Sequence, residues 1–573
     1  MLGHAIDQPQ RRPLRAFAFD PMTARGQLSE VIIEVENESL LPGPSGARVK
    51  VVDYDGTRDC FYEPVDLDDP AILMQAGLSP SEADPRFHQQ MVYAVTSKVL
   101  ENFDRALGRR ITFRGRPLLL LPHAFRDANA FFDPKLNGVC FGYFAADRAH
   151  PGENLPGQTV FTCLSQDIIA HEVTHAVVHR LRKHFLDPSN EDVLAFHEGF
   201  ADIVAIFQHF TFPDVLSGAI AATRGELHSQ STLVGLAAQF GHATGKDDAL
   251  RTALDTPDPS LYRKATEPHE RGSILVAAVF DGFFANYQNR IHDLIRIASD
   301  GRGVLPHGDL HPDLVGRLAR EAAAAAQDVL TMCIRAFEYL PPVDITFGDY
   351  LRALITADYD LVADAGIEQR RAMIEAFRRR GIYPDGVISL SENSLRLPAA
   401  KLNTNMPAQP VAQGLVSGAR TFHSSWRDVA MESRARQDVY GELRSWAKRN
   451  AAELGLDPGK HIAVHAFHAT YRINPSGQLV VEVVAQFTQK RDTSGDEGFG
   501  GVPFRGGTTV VASAGGGVRF VIAKPMTDTR AKEQVEFVSR QDLEDPTLPW
   551  ADESYLRSRA RRDFRRLHRG IVG

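Results

Sequence analysis

Residues 167–180 read DIIAHEVTHAVVHR and place one glutamate, Glu172, between two histidines, His171 and His175. In an α-helix, side chains four residues apart point to the same face, so both imidazoles can reach one metal ion. Isoleucine, valine and alanine surround these three polar residues, which predicts a buried helix. Because unpaired histidine and glutamate side chains are costly to bury, a bound metal explains the stretch better than an ordinary core helix does.

The pattern His-Glu-x-x-His is a known zinc signature, in which the histidines hold the ion and the glutamate acts as general base. A catalytic zinc needs a third protein ligand and an open position for water. In AFHEGFADIVAIF, residues 195–207, we predict that Glu198 is this ligand. Asp202, one turn later, is predicted to accept a hydrogen bond from a zinc histidine. His197 stays an alternative ligand, although it points about 100° away from the Glu198 face.

Four stretches, in this order along the chain, resemble the thermolysin-like metallopeptidases. DIIAHEVTHAVV is similar to the zinc-binding helix of that family, and HEGFAD is similar to its ligand helix. Upstream, NAFF begins with Asn129 and Ala130 and is similar to the family's substrate-strand motif. Downstream, PHERGSILVAAVF resembles the segment that carries the transition-state histidine, here His269. The resemblance covers roughly residues 85–385.

The resemblance implies a two-lobed catalytic domain, with a mixed β/α N-lobe that carries an edge strand, a helical C-lobe and the zinc helix between them. It implies one catalytic Zn²⁺, bound by His171, His175 and Glu198, that activates a water and polarises the scissile carbonyl. Glu172 would be the general base. His269 would donate a hydrogen bond to the oxyanion.

For substrate, the resemblance implies that Asn129 and the Ala130 backbone bind an extended peptide by strand addition. Arg251 is similar to an arginine that holds a substrate carbonyl. The chain also departs from the family pattern. The loop after the zinc helix has no tyrosine to act as second oxyanion donor, and His184 is the candidate to replace it. The nearest acid before His269 is Glu267.

Calcium binding is left open by the sequence. Asp167 matches a calcium ligand of the family, but the expected cluster of acids is missing after Asp202. Calcium prefers several oxygen ligands, so we expect no double-calcium site.

The composition is that of a soluble globular protein with more than one domain: 573 residues, 43% hydrophobic, 24% charged and a net charge of -8. Charges of both signs are interspersed, so neither nucleic acid nor a membrane is an expected partner, and the basic segment 557–569 is expected to be a solvated helix. The four cysteines are far apart and form no CxxC pair, which predicts neither a cysteine-based zinc site nor a disulfide framework. With no signal-like start and no long apolar run, a cytoplasmic location is expected.

The predicted fold class is α+β, in four parts. A strand-rich region at 1–80 precedes the metallopeptidase domain at 81–390, and an unpatterned linker at 391–418 precedes an α+β module at 419–573 whose function the sequence does not indicate. The predicted function is a zinc metalloendopeptidase that acts on peptide or protein substrates, in intracellular processing or regulation. Two alternatives stay open: a catalytically weak or inactive zinc scaffold whose C-terminal module binds a protein partner, and a narrow-specificity aminopeptidase.

Overall fold

The computed structural model describes residues 9–18, 21, 30–113, 115–149, 154–222, 257–305, 308–408, 428–474, 476–491, 493, 499 and 502–544. The described residues are 47% helical and 20% strand, so the prediction of a mixed α and β protein is confirmed. The two-lobed arrangement and the domain boundaries stay predictions. Over the described ranges, none of the helices combines the length and apolar character needed to cross a bilayer.

The strands are β1 (Arg11–Phe17), β2 (Glu30–Glu36), β3 (Val49–Val51), β4 (Tyr54–Asp55), β5 (Cys60–Phe61), β6 (Leu118–Phe125), β7 (Ala130–Asp133), β8 (Gly138–Ala145), β9 (Thr159–Phe161), β10 (Ala463–Ile473), β11 (Leu479–Lys490), β12 (Arg505–Ser513) and β13 (Val518–Lys524). The α-helices are α1 (Pro70–Leu73), α2 (Pro85–Leu107), α3 (Gln166–Leu181), α4 (Glu191–Phe210), α5 (Pro213–Ala222), α6 (Pro259–Lys264), α7 (Pro268–Ala298), α8 (Pro312–Arg335), α9 (Phe347–Val362), α10 (Ile367–Arg379), α11 (Glu392–Leu395), α12 (Asp428–Arg449) and α13 (Asp528–Glu544).

One mixed sheet has the strand order β3-β6-β8-β7, and β9 pairs with the second half of β8. The pairs β3/β6 and β6/β8 are parallel, whereas β7 and β9 run antiparallel to β8. The NAFF motif supplies β7, in which Ala130 pairs with Phe141 and Asp133 pairs with Gly138. The predicted substrate strand therefore lies at one end of the strand order.

Two buried helices, α3 and α4, follow this sheet and pack on each other. The α3 helix begins after Ser165, whose hydroxyl accepts a hydrogen bond from the Ile168 amide. The α4 helix begins after Asn190, whose side-chain oxygen accepts from the Asp192 amide. Such caps satisfy amides that the first helical turn leaves without partners, and they fix where each helix begins. Because the first residue of each helix is fixed, the position of every polar residue on the helix surface is fixed as well.

Helices α4 and α7 approach closely at two glycines. A Cβ added at Gly199 would lie 2.7 Å from the Gly272 carbonyl oxygen, and one added at Gly272 would lie 2.9 Å from the Ala195 carbonyl oxygen. Only glycine leaves room for backbones this close. The crossing lies one residue from Glu198 and three residues from His269, so it sets the spacing between those two side chains.

The C-terminal sheet has the antiparallel order β10-β11-β12-β13. One face packs on α12 through Leu443, Trp446 and Phe487. Four side chains on the other face of the sheet belong to the main hydrophobic core: Val484, Val511, Phe520 and Ile522. The sheet and the helical part of the chain therefore share a packed interface.

Parts of the N-terminal region and of the predicted linker are also packed. Leu14 of β1 and Ile33 of β2 belong to the same core as α2. Within the predicted linker, Leu395 of α11 is buried, and the Glu392 carboxylate lies 3.1 Å from Arg370 Nε. The first residues of the linker are therefore anchored on the helices that precede it.

Candidate metal centre

Three side chains bring their ligand atoms together where α3 packs on α4, and we call them the first cluster: His171, His175 and Glu198. The Nε2 atoms of the two histidines are 2.9 Å apart. The Glu198 carboxylate lies 3.4 Å from His171 Nε2 and 3.6 Å from His175 Nε2. Adjacent ligands of a tetrahedral zinc are about 3.3 to 3.6 Å apart, given its bond lengths. The donor atoms therefore suit a zinc ion in chemical type, and both distances to Glu198 match its ligand spacing, whereas the two histidine nitrogens would move apart by about 0.4 Å to bind it.

Glu172 lies beside this cluster, and its carboxylate faces the sheet. Its Oε2 accepts a hydrogen bond of 3.0 Å from the backbone amide of Phe132 in β7. Its carboxylate also lies within 4.8 Å of the ligand atoms of both histidines. Glu172 is therefore between the histidines and the strand that the sequence predicts to bind substrate.

Asp202 contacts the outer nitrogen of one histidine, as the spacing on α4 predicts. Its Oδ1 is 2.7 Å from His171 Nδ1. A carboxylate at this nitrogen keeps the proton on Nδ1 and the lone pair on Nε2, where a metal would bind. The contact therefore selects the tautomer that can act as a ligand.

His197 lies behind His175. The Nδ1 atoms of the two rings are 2.6 Å apart, whereas the Nε2 of His175 faces Glu198. Burial, and then the charge of His175, hold the pKa of His197 well below its usual range. Of the two candidate ligands on α4, Glu198 faces both histidines, whereas His197 contacts only His175, at the nitrogen that points away from Glu198. The sequence predicted that His197 points in a different direction from Glu198, but it gave no signal for the contact between His197 and His175.

His269 reaches the first cluster from the first turn of α7. Its Nδ1 lies 3.3 Å from Glu198 Oε2, and its side chain is partly exposed. Glu267, the acid that the sequence places near this histidine, is the N-cap of α7, and its carboxylate accepts from the Glu270 amide at 2.7 Å. His269 is thus brought to the site, while Glu267 fixes the start of its helix.

A buried network that sequence reasoning missed joins the beginnings of α4, α7 and α9. Asp192 Oδ1 accepts from Arg271 Nε at 2.6 Å. Its Oδ2 accepts from the Tyr262 hydroxyl at 2.7 Å and from the Phe347 amide at 2.8 Å. Burial, followed by the charge of Asp192, raises the pKa of Tyr262, so this hydroxyl stays a donor. Arg271 follows His269 by two residues, so the network holds His269 relative to α4.

Asn129 and Ala130, the predicted substrate-binding residues, are both buried at β7. The Asn129 carbonyl accepts from the Gly142 amide at 2.9 Å, so its backbone pairs with β8. A Cβ added at Gly142 would lie 2.3 Å from the Asp127 carbonyl oxygen, and glycine is therefore required for this approach. Arg251 lies outside the described residues.

His184, the candidate second oxyanion donor, contacts the C-terminal sheet. Its Nδ1 is 3.0 Å from Asp187 Oδ2, which also accepts from Arg505 Nε at 3.0 Å. Its ring is 5.2 Å from that of His465, and burial lowers the pKa of His184. These contacts assign His184 to the interface. Asp167, the candidate calcium ligand, has its carboxylate 3.5 Å from His209 Nδ1.

Comparison with known proteins gives no relatives: neither a protein-family model nor a curated protein sequence matches this chain. The resemblance to thermolysin-like metallopeptidases therefore depends on the quoted motifs alone and stays a prediction.

Proposed function

We propose that this chain is a zinc metalloendopeptidase of the thermolysin-like kind. One observation carries the proposal: His171, His175 and Glu198 offer a zinc-like set of donors, and a second carboxylate, that of Glu172, lies within 4.8 Å of both histidines and also contacts β7. A scaffold that only binds metal has no need for a carboxylate held beside the ligands. A hydrolase needs it as a base.

The proposed substrate is an extended peptide that lies along β7. Strand addition at the end of a sheet supplies backbone hydrogen bonds and leaves side-chain selection to pockets on alternate positions. Phe132 lies in β7 and donates its amide to Glu172. A peptide aligned on this strand would therefore pass beside the general base.

When bound, zinc would polarise the scissile carbonyl and lower the pKa of the attacking water. Glu172 would accept the proton of that water and pass it to the leaving amine. His269 contacts Glu198 through Nδ1, and in its imidazolium form the ring would also donate from Nε2 to the oxyanion. Asp202 and His197 would hold the two histidine rings in the orientation that binding requires.

The test compares three full-length proteins: wild type, Glu172→Gln and Glu368→Gln. Glu368 is an exposed acid on α10 that pairs with Arg371, so its substitution is a matched control for the loss of one carboxylate. The experiment measures zinc content, cleavage of quenched peptides with either an acetylated or a free amino terminus, and uptake of labelled oxygen from water into the new carboxyl terminus.

We expect zinc in all three proteins and a drop of roughly 10²- to 10⁴-fold in cleavage rate for Glu172→Gln alone. Cleavage restricted to peptides with a free amino terminus would favour the aminopeptidase alternative. Zinc without cleavage by any of the proteins would favour the scaffold alternative, and a wild-type protein that binds no zinc would refute the proposal.

A further inference from the structure

A second group of metal-ligating side chains lies between α2, β6 and the turn that precedes α3. We call it the second cluster: His88, His123 and Cys163. The ligand atoms of the three lie within 4.8 Å of one another. Each side chain is at most 1% exposed. None of them belongs to the first cluster or to the proposed peptidase mechanism.

The outer nitrogen of each histidine faces an acceptor. His123 Nδ1 is 2.6 Å from Asp53 Oδ1, and His88 Nε2 is 3.2 Å from the Glu82 carbonyl oxygen. An acceptor at that position requires a proton on the nitrogen, so the other nitrogen of a neutral ring carries a lone pair. This pattern, with a carboxylate or carbonyl behind each ring, is the one that orients histidine ligands in metal sites.

The two inner nitrogens, His123 Nε2 and His88 Nδ1, are 2.8 Å apart. Two lone pairs at this distance repel each other unless a proton or a cation lies between them. A shared proton would satisfy the two rings but would give the sulfur of Cys163 no role. A metal ion would use all three groups once the two nitrogens move apart by about 0.5 Å, because two imidazoles and one thiolate are ligands that zinc prefers.

Charge balance also favours a metal. A buried charge is costly unless opposite charges surround it. A divalent ion with one thiolate, from Cys163, and one carboxylate behind a ligand, from Asp53, gives a total charge of zero. Gln89 Nε2 donates to the other oxygen of Asp53 at 2.9 Å and holds that carboxylate toward His123.

Aromatic rings enclose the second cluster. The Tyr62 ring is 4.7 Å from that of His123, and the Phe161 ring is 4.7 Å from that of His88. Three protein ligands leave one position of a tetrahedral zinc open. The enclosing rings restrict the access of substrate to that position, so the second cluster suits a structural ion rather than a catalytic one.

We propose that His88 Nδ1, His123 Nε2 and Cys163 Sγ bind a second Zn²⁺, which has a structural role. The ion would join α2 and β6 to the turn that leads into α3, and would thereby fix the sheet to the helix that carries two ligands of the first cluster. The sequence predicts no cysteine-based zinc site, because these three ligands come from separate elements.

The experiment uses full-length protein with Glu172→Gln to prevent self-digestion, loaded with zinc or with cobalt. Zinc-edge X-ray absorption detects a sulfur ligand at about 2.3 Å. Cobalt bound by a thiolate gives a charge-transfer band in the near ultraviolet, and the first cluster contains no sulfur. Further substitution by Cys163→Ala tests the ligand, and Cys140→Ala is the matched control because Cys140 is also a buried cysteine of the same region.

We expect zinc with a sulfur neighbour, a cobalt band, and loss of both with Cys163→Ala but not with Cys140→Ala. One bound ion that has a sulfur neighbour would support the second cluster and count against the first. Bound zinc without sulfur and without a cobalt band, measured before any cysteine is changed, would overturn the second site while leaving the proposed peptidase intact. Loss of the band in both cysteine variants would overturn it as well.

Discussion

The first and second clusters contain similar candidate ligands but are built in different ways. In the first cluster two histidines lie four residues apart on α3, and the third candidate ligand, Glu198, comes from the adjacent α4. In the second cluster, 35 residues separate His88 from His123, and Cys163 lies on a third element. Spacing within one helix is visible in the sequence, whereas contact between distant elements is not.

The surroundings of the two clusters also differ, although each has a carboxylate behind a histidine. Asp202 is 2.7 Å from His171, and Asp53 is 2.6 Å from His123. Beside the first cluster lies a further carboxylate that faces the end of a sheet, while aromatic rings enclose the second. The two proposals therefore assign similar side chains to a reaction in one place and to a structural ion in the other, and four predictions test this contrast.

The largest expected effect is that of Gly272→Ala at the crossing of α4 and α7. The added methyl group would lie 2.9 Å from the Ala195 carbonyl oxygen and would separate the two helices. Because Glu198 and His269 are on these helices, we expect kcat/KM for peptide cleavage to fall about 100-fold.

Gly316→Ala in α8 is the control, since the nearest atom to the added Cβ is Arg320 Nη1 at 3.7 Å. It should leave cleavage unchanged and stabilise the helix by up to about 1 kcal/mol. The cobalt band of the second cluster should persist in both variants. Full activity in Gly272→Ala would contradict the role of the crossing.

Asp202→Asn and Asp53→Asn should each weaken metal binding at their own cluster by about 10- to 100-fold. Both changes keep the shape of the side chain and remove the charge behind one histidine. Competition with a zinc chelator measures the affinity, and the cobalt band identifies the second cluster. If either variant weakened both clusters equally, the two sites could not be treated as independent.

A smaller effect is expected at His197. Leucine cannot form a hydrogen bond with His175 Nδ1, so His197→Leu should lower the zinc affinity of the first cluster about 10-fold. His197→Asn retains a polar group and should restore most of that loss. Equal affinities for the leucine, asparagine and wild-type proteins would show that His197 does not position His175.

The smallest expected effect is on unfolding. In chelator, Cys163→Ala and Cys140→Ala should each cost about 1 kcal/mol, a typical value for one substitution. When free zinc is about ten times the Kd of the second cluster, its binding should stabilise Cys140→Ala by about 1.4 kcal/mol more than Cys163→Ala. Thermal unfolding at matched zinc concentrations measures the difference. Identical zinc-dependent shifts in the two variants would argue against a structural ion.

Sequence reasoning was most effective where a role depends on one helix. The four-residue spacing on α3 predicted that the His171 and His175 rings share one face of that helix. The same spacing on α4 predicted that Asp202 lies on the same face as Glu198. The distances agree with both. Sequence reasoning was least effective where a side chain has several possible partners. Glu267 caps α7, and His184 contacts the C-terminal sheet. Both side chains bind neighbours that the sequence does not reveal.

The sequence by itself determined the mixed α and β composition, the buried helix at residues 167–180 and the shared face of His171 and His175 in the first cluster, since 3.6 residues per turn relate side chains on one helix whatever surrounds it. Only the tertiary structure decided the contact of Glu172 with β7, the position of His197 behind His175, and the meeting of His88, His123 and Cys163. Such contacts join residues far apart in the chain. Their geometry depends on how the whole core packs, and no local pattern of residues encodes it.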